Sequence, residues 1–314
     1  MMKKLIAGIV ASLLPFAAAA AYPERPVKLI VPWAAGGDTD NIFRPFAPLL
    51  QKHLGGQTVV IANVGGASGT KGAKEAKESP PDGYTLYAVH DYIHSTYYAG
   101  VADVQYSDFE PVCLISSTAS VLTASPKTPW KNWQEFLADA KKRPGEITVG
   151  ATLASTSHFF PALIEQAAGL KFKYVSYEGL APRMNAILGG HIDLTDANLT
   201  QKGKVEAAQL KFLAIATEKR HPEMPSIPTL KELGVNVVYD VNRGIVVPKG
   251  TPAPVIATLG KACAAAAKEP EFAAAMKKQG TDVRYMDREQ YAKWLKQNDD
   301  LNKKLAKDLG LLKR

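Results

Sequence analysis

The sequence predicts an α/β protein that is divided into two domains. Its 314 residues correspond to about two domains of roughly 150 residues each. Beyond residue 21, short β-branched runs alternate with helical segments, which is typical of parallel sheets. The alternation restarts from about residue 123, around the Pro-containing stretch 125–129. We interpret this stretch as a crossover into a second domain.

Residues 1–21 differ in character from the rest of the chain. Lys3 and Lys4 precede a mostly apolar run over residues 5–14, and small residues follow over 17–21. This pattern is typical of a secretory signal peptide, which we expect to be cleaved near Ala21. The apolar run is shorter than the about 20 residues that span a bilayer, and no later apolar run reaches about 18 residues. We therefore expect a soluble mature protein in the periplasm.

The charge of the chain is modestly positive. Without Lys3 and Lys4 the formal charge falls from +8 to +6. A positive excess favours anionic ligands, although a solvated basic surface explains it equally well. The lysine-rich stretch 288–314 is weak support for nucleic-acid binding, and an exported protein rarely meets DNA. We expect no nucleic-acid partner.

The first domain begins with a strand, a Gly-containing turn and a helix. Pro45 and Pro48 fall inside that helix, so we expect it to be kinked or shortened. The predicted elements are strand 27–31, helix 39–53, strand 58–61, Gly-rich loop 64–69, a helix through residue 77 and, after a turn at 80–83, strand 84–89.

The second domain repeats the alternation, and the chain then returns to the first domain. Its predicted elements are helix 133–142, strand 147–151, helix 157–168, strand 172–177, helix 182–188, strand 192–196 and strand 212–216. An extended segment at 235–247 forms a second crossover, followed by helices 254–268, 271–279 and 288–309. We therefore predict a discontinuous first lobe, residues 22–123 plus 247–314, and a second lobe, residues 124–246.

The two cysteines are far apart in sequence and lie in no metal-binding spacing. Cys113 falls in an apolar strand-like segment and Cys263 in an Ala-rich helix, so both are interpreted as core thiols. A disulfide in an oxidising compartment stays open as the alternative.

Two glycine-containing loops of the first lobe are candidate sites. Free N–H groups where a helix follows a strand can hold an anion, and glycines let a ligand approach the backbone. The candidates in the first loop are Trp33, Ala35, Gly36, Gly37, Thr39 and Asp40; the alternative is a tight turn that Thr39 or Asp40 caps. In the second loop Gly66 and Ala67 are candidates. Thr70 separates Gly69 from Lys71, so the nucleotide-binding order Gly-Lys-Ser/Thr is absent and no cofactor is expected.

Hydroxyl groups crowd a strand-to-helix turn of the second lobe and could donate to a carboxylate. The candidates are Thr152, Ser155, Thr156, Ser157 and His158. Capping by Ser155 or Ser157 is the structural alternative. A hydrolase would need one of these serines with His158 as base, but no G-x-S-x-G elbow is present.

Further ligand-binding candidates are Asp196, His90 and Tyr177. Asp196 ends a predicted strand and, with Asn198, faces either the cleft or solvent; no partner marks it for paired-carboxylate catalysis. His90 and His94 lack the H-E-x-x-H pattern, so we interpret them as loop positions and expect no metal.

Several motifs follow one another along the chain: residues 22–32, 35–37 with Asp40, 81–86, Gly150 with 155–158, 177–179, 188–193, 228–234 and 248–252. This ordered set resembles the Bug family, the extracytoplasmic receptors of tripartite tricarboxylate transporters. The resemblance covers nearly the whole mature chain.

The resemblance implies a two-lobed periplasmic-binding-protein-like fold of type II with a ligand cleft between the lobes. A carboxylate would be held by the turn 35–37 and the loop 155–157. The implied protein is a monomeric binding protein, not an enzyme, that works with membrane permease subunits; a receptor that signals through a membrane kinase is the alternative.

The sequence departs from the family pattern at 89–92 and 242–244, where His90 and Arg243 stand. Arg243 could bind a second carboxylate or lie at the surface. With Tyr177 and other aromatic residues present, an aromatic carboxylate and a di- or tricarboxylate are both open.

Overall fold

The computed structural model describes residues 22–314, so the predicted signal peptide lies outside the described residues. Two sheets carry the fold. The first contains β1 (Val27–Val31), β2 (Val59–Asn63), β3 (Thr85–His90), β4 (Phe109–Ala119), β10 (Asp240–Pro248) and β11 (Asp282–Met286). The second contains β5 (Val121–Ala124), β6 (Thr148–Ala151), β7 (Lys173–Ser176), β8 (Leu194–Ala197) and β9 (Lys211–Ile215). This arrangement confirms the predicted two-lobed α/β fold.

Helices cover both sheets. In the first lobe they are α1 (Asp38–His53), α2 (Thr70–Lys77), α3 (Tyr92–Tyr98), α8 (Ala253–Ala267), α9 (Pro270–Lys278) and α10 (Arg288–Asp308). In the second lobe they are α4 (Trp133–Lys142), α5 (Thr156–Ala168), α6 (Leu180–Gly189) and α7 (Lys202–Glu206). Among residues 22–314, no helix combines the length and the apolar character that crossing a bilayer requires.

Both sheets are mixed rather than parallel. In the first, β1 pairs in parallel with β2 and β3, whereas β10 runs antiparallel to β3 and β4. In the second, β6 pairs in parallel with β7 and β8, and β5 runs antiparallel to β8 and β9. β5 and β10 lie at the crossovers, where a chain that enters from the other lobe need not follow a β-α-β path. β11, at the edge of the first sheet, also pairs antiparallel with β4.

The chain changes sheets earlier than the predicted limits at 123/124 and 246/247. Only Ser120 separates β4 of the first sheet from β5 of the second, and β10 has rejoined the first sheet by Asp240. The Pro-containing stretch 125–129 follows the crossing instead of marking it. The two crossing segments contact each other, since Ser120 N donates to Tyr239 O at 3.1 Å.

Helix α1 runs through Pro45 and Pro48 without being shortened. Because proline has no N–H, Pro45 leaves the carbonyl of Asn41 without its helical donor. Gln279, which follows α9, replaces that donor, since its Nε2 donates to Asn41 O at 3.1 Å. A contact that is distant in sequence therefore preserves the helix that begins at the first candidate site.

Two local interpretations from the sequence were wrong. Cys113 on β4 and Cys263 on α8 are buried but form a disulfide, not separate thiols, because the helix packs across the strand with the two Cα atoms 6.6 Å apart. His94 lies in α3 rather than in a loop, where its buried ring is held 3.0 Å from Asp299 Oδ1.

Candidate functional site

A cavity lies between the two lobes, at the ends of β3, β8 and β10. The space inside it that is open to a water-sized molecule is about 50 Å³. Predicted residues that line it are Trp33, Gly37, Thr39, His90, Thr152, Thr156, Ser157, Asp196 and Arg243. Asn198, which we expected to face either the cleft or solvent, also lines it. Lining residues that the sequence did not single out include Asp38, Thr118, Ser120, Gly179 and Arg183.

Arg243 reaches the cavity from β10 of the first lobe. Its side chain is 3% exposed, so it is not a surface arginine. Nη1 donates to Thr118 Oγ1 at 2.9 Å and Nε to Thr39 Oγ1 at 3.3 Å, while Nη2 lies 3.6 Å from Asp38 Oδ2. Burial lowers the pKa of Arg243, but a guanidinium stays protonated in proteins. The first lobe thus contributes a fixed cation.

Arg183 reaches the cavity from α6 of the second lobe and is 5% exposed. Its Nε donates to Gly179 O at 3.1 Å, and its Nη1 is buried without a hydrogen-bond partner. Sequence reasoning missed this residue, although a signal existed. Leu180, Arg183, Met184 and Ile187 follow a helical i, i+3, i+4, i+7 spacing and are all buried, so the arginine interrupts an apolar face.

Two carboxylates share the cavity with the arginines. Asp196 is 7% exposed at the end of β8, and its Oδ1 is buried without a partner. Burial raises the pKa of Asp196 to about 7, against the opposing effect of the Arg183 charge. Asp38 of α1 accepts from Asn198 Nδ2 at 2.5 Å across the gap between the lobes. A side chain of the first lobe therefore forms a hydrogen bond with a side chain of the second.

Three helices begin at the cavity: α1 after Gly37, α5 after Ser155 and α6 after Gly179. None of these three helices has a side-chain N-cap hydrogen bond. Their first-turn N–H groups are therefore available to an anion, and the helix dipoles favour negative charge there. Ser157 braces the loop instead of capping the helix, since its Oγ accepts from Thr152 N at 3.0 Å.

Trp33 and His90 form an aromatic wall. Trp33 Nε1 donates to His90 Nε2 at 2.9 Å, and Tyr92 packs edge-on against the indole. Burial, with a smaller effect of the Arg243 charge, lowers the pKa of His90 well below its usual value. The imidazole is therefore neutral and leaves the arginines as the cationic groups of the wall.

Several predicted site residues do not line the cavity. Ala35 and Gly36 lie on the exposed outer side of the turn. Asp40 points away from the cavity, because it accepts from Gly36 N at 2.8 Å and from Arg44 Nε at 2.6 Å. Ser155 is buried beneath the loop as the residue preceding α5.

The remaining predicted residues lie around the cavity rather than in it. His158 Nδ1 accepts from Ala154 N at 3.2 Å, and its ring packs on Tyr174. Burial lowers the pKa of His158 to about 4. The side chain is thus placed for packing and not against Ser157. Tyr177 continues from β7 and packs beside Gly150.

The loop that carries Gly66 and Ala67 contacts the second lobe at the rim. Ser68 N donates to Glu178 Oε2 at 2.9 Å, and Ser68 Oγ donates to Leu153 O at 3.1 Å. Gly66, Ala67, Ser68 and Gly69 all have positive φ, which turns the backbone sharply toward Glu178. The loop therefore joins the lobes beside the cavity.

The raised pKa of Asp196 predicts a pH-dependent stability that Asp196→Asn removes. The unfolded carboxyl titrates near 3.8 and the folded one near 7. The stability that this protonated carboxyl contributes is fully present below the unfolded pKa and is lost as the pH rises through the folded pKa. We expect the variant to gain stability relative to the wild type, by at least about 1 kcal/mol more at about pH 8 than at about pH 5. Urea unfolding at both pH values measures this difference, and a gap that does not change with pH contradicts it.

Residues 22–314 contain no group of three or more His, Cys, Asp or Glu side chains that could hold a metal ion. The groups that line the cavity are arginines, carboxylates, hydroxyls and helix N-termini.

Comparisons with known proteins give a consistent result. A family model described as the tripartite tricarboxylate transporter family receptor matches residues 42–311. The periplasmic binding protein BugD has a TM-score of 0.88 to this chain at 32% identity, covering 93% of this chain and 100% of BugD. MatC from Rhodopseudomonas palustris, solved with bound malate, has a TM-score of 0.84 at 26% identity, covering 90% of this chain and 99% of MatC. Rpa4515 from R. palustris, solved with adipate, has a TM-score of 0.87 at 29% identity, covering 92% of this chain and 98% of Rpa4515.

The family model spans most of the chain, and the similar structures are periplasmic binding proteins covered almost end to end. The protein therefore belongs to the tripartite tricarboxylate transporter receptor family of periplasmic solute-binding proteins.

Proposed function

We propose that this protein binds a small dicarboxylate between its lobes in the periplasm and delivers it to a tripartite tricarboxylate-type membrane transporter. One observation carries the proposal: a buried arginine from each lobe, Arg183 and Arg243, lines the same cavity. Guanidinium groups bind carboxylates with paired hydrogen bonds. A ligand with two carboxylates can engage both, whereas a monocarboxylate leaves one cation without an anion.

The helix N-termini support the same reading. Gly37, Thr156 and Gly179 place the N-termini of α1, α5 and α6 at the cavity wall, where backbone N–H groups complement an anion. The ligands named for two similar structures, malate and adipate, are both dicarboxylates. Aromatic carboxylates are the competing class, because Trp33 and His90 form one wall of the cavity.

Delivery requires that the closed form be favoured only when the ligand is bound. A ligand that contacts Arg183 and Arg243 at once stabilises closure by its contacts to both lobes. The hinge is short, because Ser120 alone separates β4 from β5. Export to the periplasm is supported by the predicted signal peptide and by the Cys113–Cys263 disulfide, since such bonds persist in oxidising compartments.

Thermal-shift measurements on the mature protein test the ligand class. The panel contains succinate, malate, adipate, citrate, benzoate and glucose, each titrated to saturation. We expect saturable increases in Tm with the dicarboxylates, because a ligand of the folded state stabilises it by mass action. Glucose serves as the negative control. Shifts from benzoate alone would favour the aromatic class, and no shift from any carboxylate would refute the proposal.

A further inference from the structure

The second-lobe end of the cavity holds two buried groups of opposite charge that lack partners. Arg183 Nη1 and Asp196 Oδ1 are both buried without a hydrogen bond, and both residues line the cavity. Within residues 22–314 no ion pair joins the two side chains. A buried polar group without a partner costs about 1–3 kcal/mol, and more when it is charged. A ligand that forms hydrogen bonds with both groups would therefore bind more favourably than one that pairs with only one of them.

The two groups need complementary partners. A guanidinium has only donors, so the free Nη1 of Arg183 requires an acceptor such as a carboxylate oxygen. An ionised carboxylate has only acceptors, so Oδ1 of Asp196 requires a donor. Arg183 on α6 and Asp196 on β8 belong to the same lobe, and both line the cavity.

We propose that Asp196 is a specificity-determining residue that selects dicarboxylates bearing a hydroxyl or amino group next to the carboxylate bound by Arg183. This inference rests on the proposed function, since it assumes a dicarboxylate in the cavity. An unsubstituted dicarboxylate satisfies the arginine but leaves Asp196 Oδ1 buried without a donor. A substituted one satisfies both, so the preference arises from the cost of an unpaired group.

The neighbouring groups leave this role to Asp196. Asp38, the other acid of the cavity, already accepts from Asn198 Nδ2 and lies 3.6 Å from Arg243 Nη2. Thr195, beside Asp196 on β8, donates its hydroxyl to Gly150 O at 2.8 Å. The Ser120 hydroxyl lies close enough to lower the pKa of the Asp196 carboxyl. Asp196 Oδ1 nevertheless has no donor among residues 22–314 and is open to one from a ligand.

Isothermal titration with succinate, malate and aspartate tests the inference. These three ligands share a four-carbon dicarboxylate and differ in carrying no donor, a hydroxyl or an ammonium group. At about pH 8 we expect at least one substituted ligand to bind about tenfold or more tightly than succinate. Asp196→Leu, which removes the acceptor, should bring that ratio to about one while succinate still binds.

Asp196→Asn distinguishes the two donors. The amide keeps an acceptor oxygen but loses the charge, so a hydroxyl preference should persist and an ammonium preference should fall. Asp300→Asn is the matched control, because that carboxylate is 71% exposed on α10. Retained succinate binding shows that each variant folds with an intact site.

The outcomes separate the two proposals. If the wild type binds none of these three ligands and no other carboxylate of the thermal-shift panel, the proposed function itself fails. If it binds adipate but none of the three, the function stands and the role of Asp196 is refuted. If succinate binds as tightly as malate and aspartate, or if Asp196→Leu leaves the ratio unchanged, the function stands and the role of Asp196 is refuted.

Discussion

Arg243→Ala lowers the affinity for the preferred dicarboxylate by about 30-fold or more. Removing one partner of a buried, hydrogen-bonded charge pair costs about 2–5 kcal/mol, and each 1.4 kcal/mol is about tenfold in Kd. Arg243 is 3% exposed and is held in place by Thr118 and Thr39. Little entropy is then lost when the guanidinium binds a carboxylate, so the full effect should appear in the affinity measured by isothermal titration.

Arg243→Lys tests whether the paired hydrogen bonds matter as well as the charge. Lysine keeps the cation but not the planar fork, so we expect an affinity between those of the wild type and the alanine variant. Arg25→Ala is the control, because that side chain is 61% exposed and pairs with Asp82 outside the cavity. If both Arg243 variants are folded by their melting curves and bind with wild-type affinity, Arg243 does not bind the ligand.

Replacing both cysteines by alanine lowers the free energy of unfolding by about 2–5 kcal/mol, the usual cost of losing a native disulfide. The bond joins β4 to α8 within the first lobe, and 150 positions of sequence, including the whole second lobe, separate its two cysteines. A cross-link over so long a segment restricts the unfolded chain strongly. Urea unfolding of Cys113→Ala/Cys263→Ala against the wild type measures the loss.

A reducing agent provides the matched control for this prediction. Reduction should destabilise the wild type toward the level of the double variant and leave the variant itself unchanged. Two reactive thiols in the denatured, unreduced wild type would show that the bond is absent and would contradict the prediction. Ligand affinity should be unaffected, because neither cysteine lines the cavity.

The elements with strong local signals agree with the sequence. Helix α4 has the predicted bounds, and α5, α8 and α10 differ from prediction by a residue or so at their ends. The short or edge elements were missed: α3, α7 and β11 have few residues, and β5 is separated from β4 by Ser120 alone. Such short elements are stabilised by packing against the rest of the fold. The local periodicity of the sequence carries little information about those contacts.

Several residues of the predicted site line the cavity, among them Gly37, Ser157, Asp196 and Arg243. The turn before α1 and the loop before α5 both reach the cavity, as a helix following a strand indicates. Asp40, in contrast, was predicted to line the site but pairs with Arg44 at the turn. Arg183 was not predicted, yet it lines the cavity. A charged residue can be recognised in the sequence, but the orientation of its side chain depends on which groups surround it in the folded protein.

From the amino-acid order alone follow the two α/β lobes, the double crossover and the strand-to-helix turns before α1 and α5. Each of these is set by hydrophobic periodicity and turn chemistry over a few neighbouring residues. Only the tertiary structure decided that Arg183 and Arg243 share one cavity, that Cys113 meets Cys263, and that Gln279 supports α1. Those pairings join segments far apart in the chain, and packing of the lobes brings them within hydrogen-bonding or bonding distance.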